Sequence, residues 1–162
     1  MKLAGLIFLF CSASLCGFFT GNRYINMLKD ISRAENLLKN IVLCLKKEKM
    51  TVYEILENCS LLCDSKTKVF LSKLSPKTFY DADFLSNENK FCSEKNVNYI
   101  LKEAFSVIGR YSAEDQISEI EFCRKKLNEI YLKNENEFRS KSKLSKSFGV
   151  LAGAFLIIIF IK

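Results

Sequence analysis

Hydrophobic positions recur at intervals of three and four through most of the chain, and at both ends the polar positions between them disappear. From Tyr111 to Lys162 the spacing predicts one long amphipathic helix whose far end becomes wholly apolar. Its stripe is Ile117, Ile120, Cys123, Leu127, Ile130 and Tyr131, at the interval that returns side chains to one helical face. Ser112 stands where an N-cap is needed, and Asp115 is a short-armed version of the capping-box acid. After Tyr131 the stripe thins, basic residues follow, and an uncharged run closes the chain. Counted from Phe148, that run spans only about 21 Å, against a hydrocarbon core about 30 Å thick. Begun at Leu144 it reaches about 27 Å, provided Lys146 snorkels to the headgroups on its apolar stem.

The front of the chain mirrors this end. After Lys2, residues 3–20 are almost wholly apolar and span about 27 Å as a helix. A lipoprotein signal needs a small residue before its cysteine, but Leu15 precedes Cys16 and Phe10 precedes Cys11. Secretory cleavage after Ser12-Ala-Ser14 is conceivable, yet the apolar run continues through Phe18 and Phe19. That continuation favours an uncleaved anchor.

Between the ends the pattern stays helical. From Arg23 to about Lys49 the stripe is Ile25, Leu28, Ile31, Leu38, Ile41, Val42 and Leu45. Thr51 and Glu54 fit a capping box that opens a helix burying Val52, Ile55, Leu56, Cys59, Leu62 and Cys63 and ending near Asp64. A shorter helix over 66–74, with Val69, Phe70 and Leu74 inward, must stop before Pro76. Residues 77–89 read as irregular, with Phe79, Tyr80, Phe84 and Leu85 as packing points. A helix over 94–108 uses Val97, Ile100, Leu101, Ala104, Phe105 and Ile108, and Gly109 ends it as a left-handed cap. No alternating strand pattern, repeat or proline-rich linker interrupts this. The expected fold is all-α, a compact helical bundle whose long first and last helices run into membrane anchors. Its divisions are an anchor at 1–21, a helical domain at 22–146 and a membrane segment at 147–162.

Charge orients that layout. Net charge is +7 and the pI about 9.0. Arg23, Lys29 and Arg33 follow the first anchor, and Arg139, Lys141, Lys143 and Lys146 precede the second, whereas Lys2 and Lys162 stand alone beyond them. By the positive-inside rule the middle domain is cytoplasmic and both termini lie across the membrane. Arg23, Arg139, Lys141, Lys143 and Lys146 form a membrane collar suited to anionic lipid. No zinc-finger spacing or ribonucleoprotein pattern turns the basic balance toward nucleic acid.

Candidate chemistry is sparse. The chain has no histidine and no phosphate-cradling glycine loop. Its seven cysteines are an odd number, two of them inside the first apolar run. Most of the others sit on apolar helical faces, where a reduced thiol behaves as a small hydrophobe. A four-sulfur zinc site from Cys59, Cys63, Cys92 and Cys123 is the alternative from another class, a thiol-based metal or redox protein, but the two-residue knuckle gap is missing. Ser72-Lys73 and Ser145-Lys146 are better read as solvated surface and collar than as nucleophile and base. Glu114 and Asp115 complement a helix dipole. No catalytic constellation, cofactor site, metal site or small-molecule substrate emerges. A non-enzymatic scaffold tethered at both ends remains, with an exported helical protein after signal cleavage as the other reading.

Residues 108–161 resemble the stage III sporulation protein AB family. The likeness rests on Gly109-Arg-Tyr-Ser-Ala-Glu-Asp-Gln116, the long polar helix, and Ser147-Phe-Gly-Val-Leu-Ala-Gly153 before an aliphatic end. Gly17, Arg23, Leu28 and Tyr53-Glu-Ile-Leu56 fit more loosely, and residues 65–96 add little. The proline usual near Thr51-Val52 is absent, and so many cysteines are unusual for the family. The resemblance implies a domain similar to the cytoplasmic domains of type II secretion inner-membrane platform proteins. It further implies a non-enzymatic platform role beside a secretion-type ATPase and other sporulation channel proteins, in the mother-cell membrane facing the forespore. A generic secretion or pilus assembly factor is the nearest alternative. On this carry-over Glu54, Arg110, Glu114, Asp115 and Gln116 are the first candidates for partner contacts, with plain capping or packing as the alternative role of Gln116 and Glu54.

Overall fold

The computed structural model describes residues 2–47, 50–74 and 90–161. Among them the chain is all-α, as expected, with five helices: α1 (Lys2–Leu45), α2 (Val52–Leu62), α3 (Ser65–Ser72), α4 (Lys95–Val107) and α5 (Ala113–Ile161). Helices α1 and α5 run for 44 and 49 residues, about 66 and 73 Å at 1.5 Å per residue. Pro76, Phe79, Tyr80, Phe84 and Leu85 lie outside the described residues. The chain forms two compact units, residues 29–132 and a second made of 1–28 with 133–162.

The first unit is a helical domain with one core drawn from all five helices. Ile31, Leu38, Ile41, Leu101, Ile120 and Leu127 are each 0% exposed, and they lie at helical spacing because each helix turns one apolar stripe inward. Phe70 meets Phe91 edge-on at 5.0 Å and stacks on Phe105 at 6.3 Å. The capping box opens α2 as its residues dictate: Glu54 N–H donates to Thr51 Oγ1 at 3.3 Å, and Thr51 N–H donates to Glu54 Oε2 at 2.7 Å.

The short third helix differs from expectation. It begins at Ser65 because the Asp64 carboxylate accepts from Thr67 N–H at 3.3 Å and caps it. The start fixes the buried face as Thr67, Phe70, Leu71 and Leu74, while Val69 is exposed. Leu62, expected in the core, is likewise exposed at the end of α2.

Buried Asn98 does what no apolar residue could. Its Oδ1 accepts from the N–H groups of Phe91 and Cys92 at 2.9 and 3.2 Å, and its Nδ2 donates to the carbonyls of Cys92 and Glu94 at 2.7 and 3.0 Å. Glu94 makes no side-chain cap, so Asn98 secures the chain leading into α4. Every polar atom of its amide is satisfied, as burial demands.

The second unit is an antiparallel helical hairpin. Phe10 meets Gly153, Gly17 meets Gly149, Gly21 meets Ser142, and the rings of Tyr24 and Phe138 lie 6.0 Å apart. A Cβ added to Gly17 would sit 2.6 Å from Gly149 Cα and 2.7 Å from the Ser145 carbonyl oxygen. The arms approach this closely only because neither backbone carries a side chain at the crossing. Ser145 Oγ donates to the Gly17 carbonyl at 3.3 Å. The outward faces are apolar, with Phe8, Phe19, Phe155 and Ile158 exposed.

Candidate functional site

The candidate residues at the start of α5 surround a built turn. Gly109 adopts φ 75° and terminates α4 as the sequence requires. Ser112 caps α5: its Oγ accepts from Asp115 N–H at 3.3 Å while donating to the Asp115 carboxylate at 2.6 Å. Gln116 is buried, accepts from Gly109 N–H at 3.0 Å and donates to the Tyr111 carbonyl. Gln116 therefore pins the turn from inside, and Arg110, Tyr111, Glu114 and Asp115 are presented outward. Glu54 is exposed on α2, its carboxylate engaged by Thr51 and held below the usual range first by the Thr51 amide, then by its hydroxyl.

A groove of about 530 Å³ runs beside Glu54 between α2 and α3. Tyr53, Leu56, Leu61, Leu71 and Leu74 line it, with Glu57 on one wall and Lys68 on the other. Tyr53 and Leu61 are strongly exposed. Sequence reasoning missed this surface; its signal is that Tyr53 and Leu61 are large apolar residues off the buried stripe of α2.

An ion network joins α1 to the cap of α3. Buried Asp30 accepts from Arg33 at 2.9 Å and from Lys66 at 2.6 Å, and Arg33 reaches Asp64 at 2.7 Å. Burial tends to raise the Asp64 carboxyl, but hydrogen bonds from Thr67 and the Arg33 charge outweigh it and hold the group below the usual range.

All seven cysteines are free thiols. Cys44, Cys59, Cys92 and Cys123 are buried, Cys63 is half-buried, and Cys11 and Cys16 are exposed in the hairpin. Cys44 and Cys59 lie 3.9 Å apart, and Asn40 Nδ2 donates to Cys63 Sγ at 3.5 Å. Burial pushes the Cys92 and Cys123 thiols up to about 11 and raises Cys59 further, which keeps them protonated. Among the described residues no group of three or more histidine, cysteine or acidic side chains is disposed to hold a metal ion. The sulfurs of Cys59, Cys63, Cys92 and Cys123 are not gathered into one site.

The collar residues fall in or beside the hairpin. Arg139 pairs with Glu135 at 2.9 Å and Lys141 with Glu137, both within α5. Arg23 and Lys143 are exposed, and Lys146 Nζ lies 4.7 Å from the centre of the Phe18 ring. Among the described residues one helix is long and apolar enough to cross a membrane, over Ala113–Ile159, with mean hydropathy 1.5 and 11% burial in its most apolar stretch.

These features define a class: a small all-α protein whose helical domain continues into a glycine-packed hairpin, compatible with association with a membrane. The family model for stage III sporulation protein AB matches residues 2–161, essentially the whole chain, and the protein belongs to that family. Its role is connected with sporulation. No curated protein and no solved structure matches the chain.

Proposed function

We propose that this protein is a non-enzymatic platform component of the mother-cell sporulation channel complex. It helps to seat a secretion-type ATPase and other channel proteins at the membrane facing the forespore. The observation that carries the reading is the family match across residues 2–161, which takes in both hairpin arms and the domain between them. The hairpin anchors the chain in the membrane, and the basic residues on its domain side favour a cytoplasmic domain. Tethering raises the domain's effective concentration for whatever assembles there. The turn around Arg110, Glu114 and Asp115 and the α2 surface near Glu54 and Tyr53 are the contact surfaces, since hydrogen-bonded caps hold them while they stay exposed.

The test is a photo-crosslinking amino acid placed at Tyr53, Arg110 or Glu114 of the full chain in sporulating cells. Capture of a secretion-type ATPase and of membrane channel proteins is expected, with none captured from Lys102 on α4. A deletion strain that completes engulfment and forms normal spores would sink the reading, as would the same capture pattern from all positions.

A further inference from the structure

Three basic residues of α5 share one flank. Arg139, Lys143 and Lys146 are spaced by four and three, the interval that stacks side chains along one side of a helix. Val150 continues the same flank one turn deeper and is exposed. Across the hairpin, Lys146 lies against α1 in a fixed way. A Cβ on Gly21 would sit 2.8 Å from Lys146 Cγ and 3.0 Å from its Cε, so the missing side chain at Gly21 is the channel for the lysine stem. The ammonium then rests 4.7 Å from the centre of the half-exposed Phe18 ring, a cation–π contact that holds the charge at the apolar boundary.

Charge balance on the hairpin is incomplete. Among its described residues the only carboxylates are Glu135 and Glu137, and these pair with Arg139 and Lys141. Among the described residues neither Lys143 nor Lys146 has a carboxylate partner. Cations at a membrane boundary are stabilised by an anion of the lipid itself, through charge-assisted hydrogen bonds to phosphate oxygens.

We infer that the flank formed by Lys143, Lys146 and Phe18 is a seat for the headgroup of an anionic phospholipid. The phosphate lies between the two ammonium groups, and an acyl chain runs along Phe18 and Val150. Charge complementarity names this occupant, and the exposed apolar side chains below the charges separate it from a free phosphate. The inference rests on the hairpin being inserted in a membrane and makes lipid association one-sided: Lys141, engaged by Glu137, takes no part.

The test uses the full chain in phosphatidylcholine vesicles with spin-labelled phosphatidylglycerol or phosphatidylcholine as the reporter. The wild-type chain is expected to prefer the anionic lipid, and Lys143→Gln with Lys146→Gln to lower that preference by about tenfold. Lys141→Gln and Arg23→Gln are expected to leave it unchanged, and inorganic phosphate not to compete. An equal loss in all variants would mean diffuse attraction to a basic collar and overturn the seat; competition by inorganic phosphate would overturn it in favour of a free-anion site. Phe18→Leu, which keeps the net charge and an apolar side chain but removes the ring, is expected to weaken the preference severalfold, and no change there overturns the arrangement. Alkaline carbonate washing of the same vesicles reads insertion separately. A wild-type chain released by the wash overturns the membrane reading itself, whereas a retained chain without lipid preference overturns only the seat.

Discussion

In the domain, helices meet through large side chains; in the hairpin, they meet where side chains are missing. Ile31, Leu38, Leu101 and Leu127 are wholly buried between helices of the domain. Gly17, Gly21, Gly149 and Gly153 occupy the corresponding positions of the hairpin, where an added Cβ would fall 2.6–2.8 Å from the other arm. On the proposed function, the difference follows from the solvent each unit meets, water for the domain and lipid for the hairpin. In water, apolar area removed from solvent contributes about 25 cal/mol per Å² and large side chains supply it. In lipid there is no such gain between helices, so close backbone packing and interhelical hydrogen bonds must hold the arms. Phe8, Phe19, Phe155 and Ile158 are accordingly turned outward rather than into the hairpin.

The largest expected effects test this division directly. Leu101→Ala removes a fully buried side chain from the domain core and is expected to lower unfolding free energy by about 2–5 kcal/mol, read from denaturant midpoints of the full chain in detergent micelles. Gly17→Leu forces a side chain into the backbone at Gly149 and Ser145. It is expected to part the arms, seen as a longer distance between spin labels at Phe8 and Phe155, while leaving the domain midpoint unchanged. If Leu101→Ala also parts the arms, or Gly17→Leu also shifts the domain midpoint, the two units are one cooperative structure and the comparison fails.

How far the sequence foretold these units depends on which force sets each contact. The long helices were legible because their stripes repeat over many turns: Ile120, Cys123 and Leu127 are buried where their spacing puts them. So were local devices, the Thr51–Glu54 box and the left-handed Gly109, whose chemistry lies within a few residues. The inward face of α3 was legible only in part: Phe70 and Leu74 are buried as expected but Val69 is exposed, because eight residues give few repeats and the capping role of Asp64 decides which side turns inward. The pairing of Gly17 with Gly149 was hidden for a different reason: it depends on the register of two segments far apart in the chain. Of the candidate contact residues, Gln116 was open to a contact or a packing role, and its burial depends on carbonyl and amide groups of a turn that exists only once folded.

Gln116→Ala sharpens the comparison at a smaller scale, because it strips a polar anchor rather than an apolar one from the domain. Losing its part-buried bonds to Gly109 and Tyr111 removes two hydrogen bonds at about 0.5–1.5 kcal/mol each, and the denaturant midpoint should fall accordingly. An unchanged midpoint with loss of crosslinking from Arg110 would instead make Gln116 itself a contact residue. Thr51→Ala removes one cap from α2 and is expected to cost about 1 kcal/mol, with far-UV circular dichroism showing fraying confined to that short helix.

The smallest expected effect comes from acid. Because the folded-state pKa of Asp64 is depressed, its contribution is fully present above the unfolded carboxyl value, about 3.9, and fades as pH falls through the folded value. With Asp64 partly exposed, that contribution is below about 1 kcal/mol. Asp64→Asn is the informative change, since asparagine still caps a helix well and only the charge facing Arg33 is lost. Denaturant midpoints of the full chain followed downward from pH 5 should decline less steeply in Asp64→Asn than in the wild type. Parallel declines would mean that the cap hydrogen bonds to Thr67, which the variant keeps, hold this corner of the domain and that the ion pair adds nothing. The same titration should leave the spin-label distance across the hairpin unchanged over that range, because its crossing is made by glycine backbones and a serine hydroxyl rather than by groups that titrate in acid.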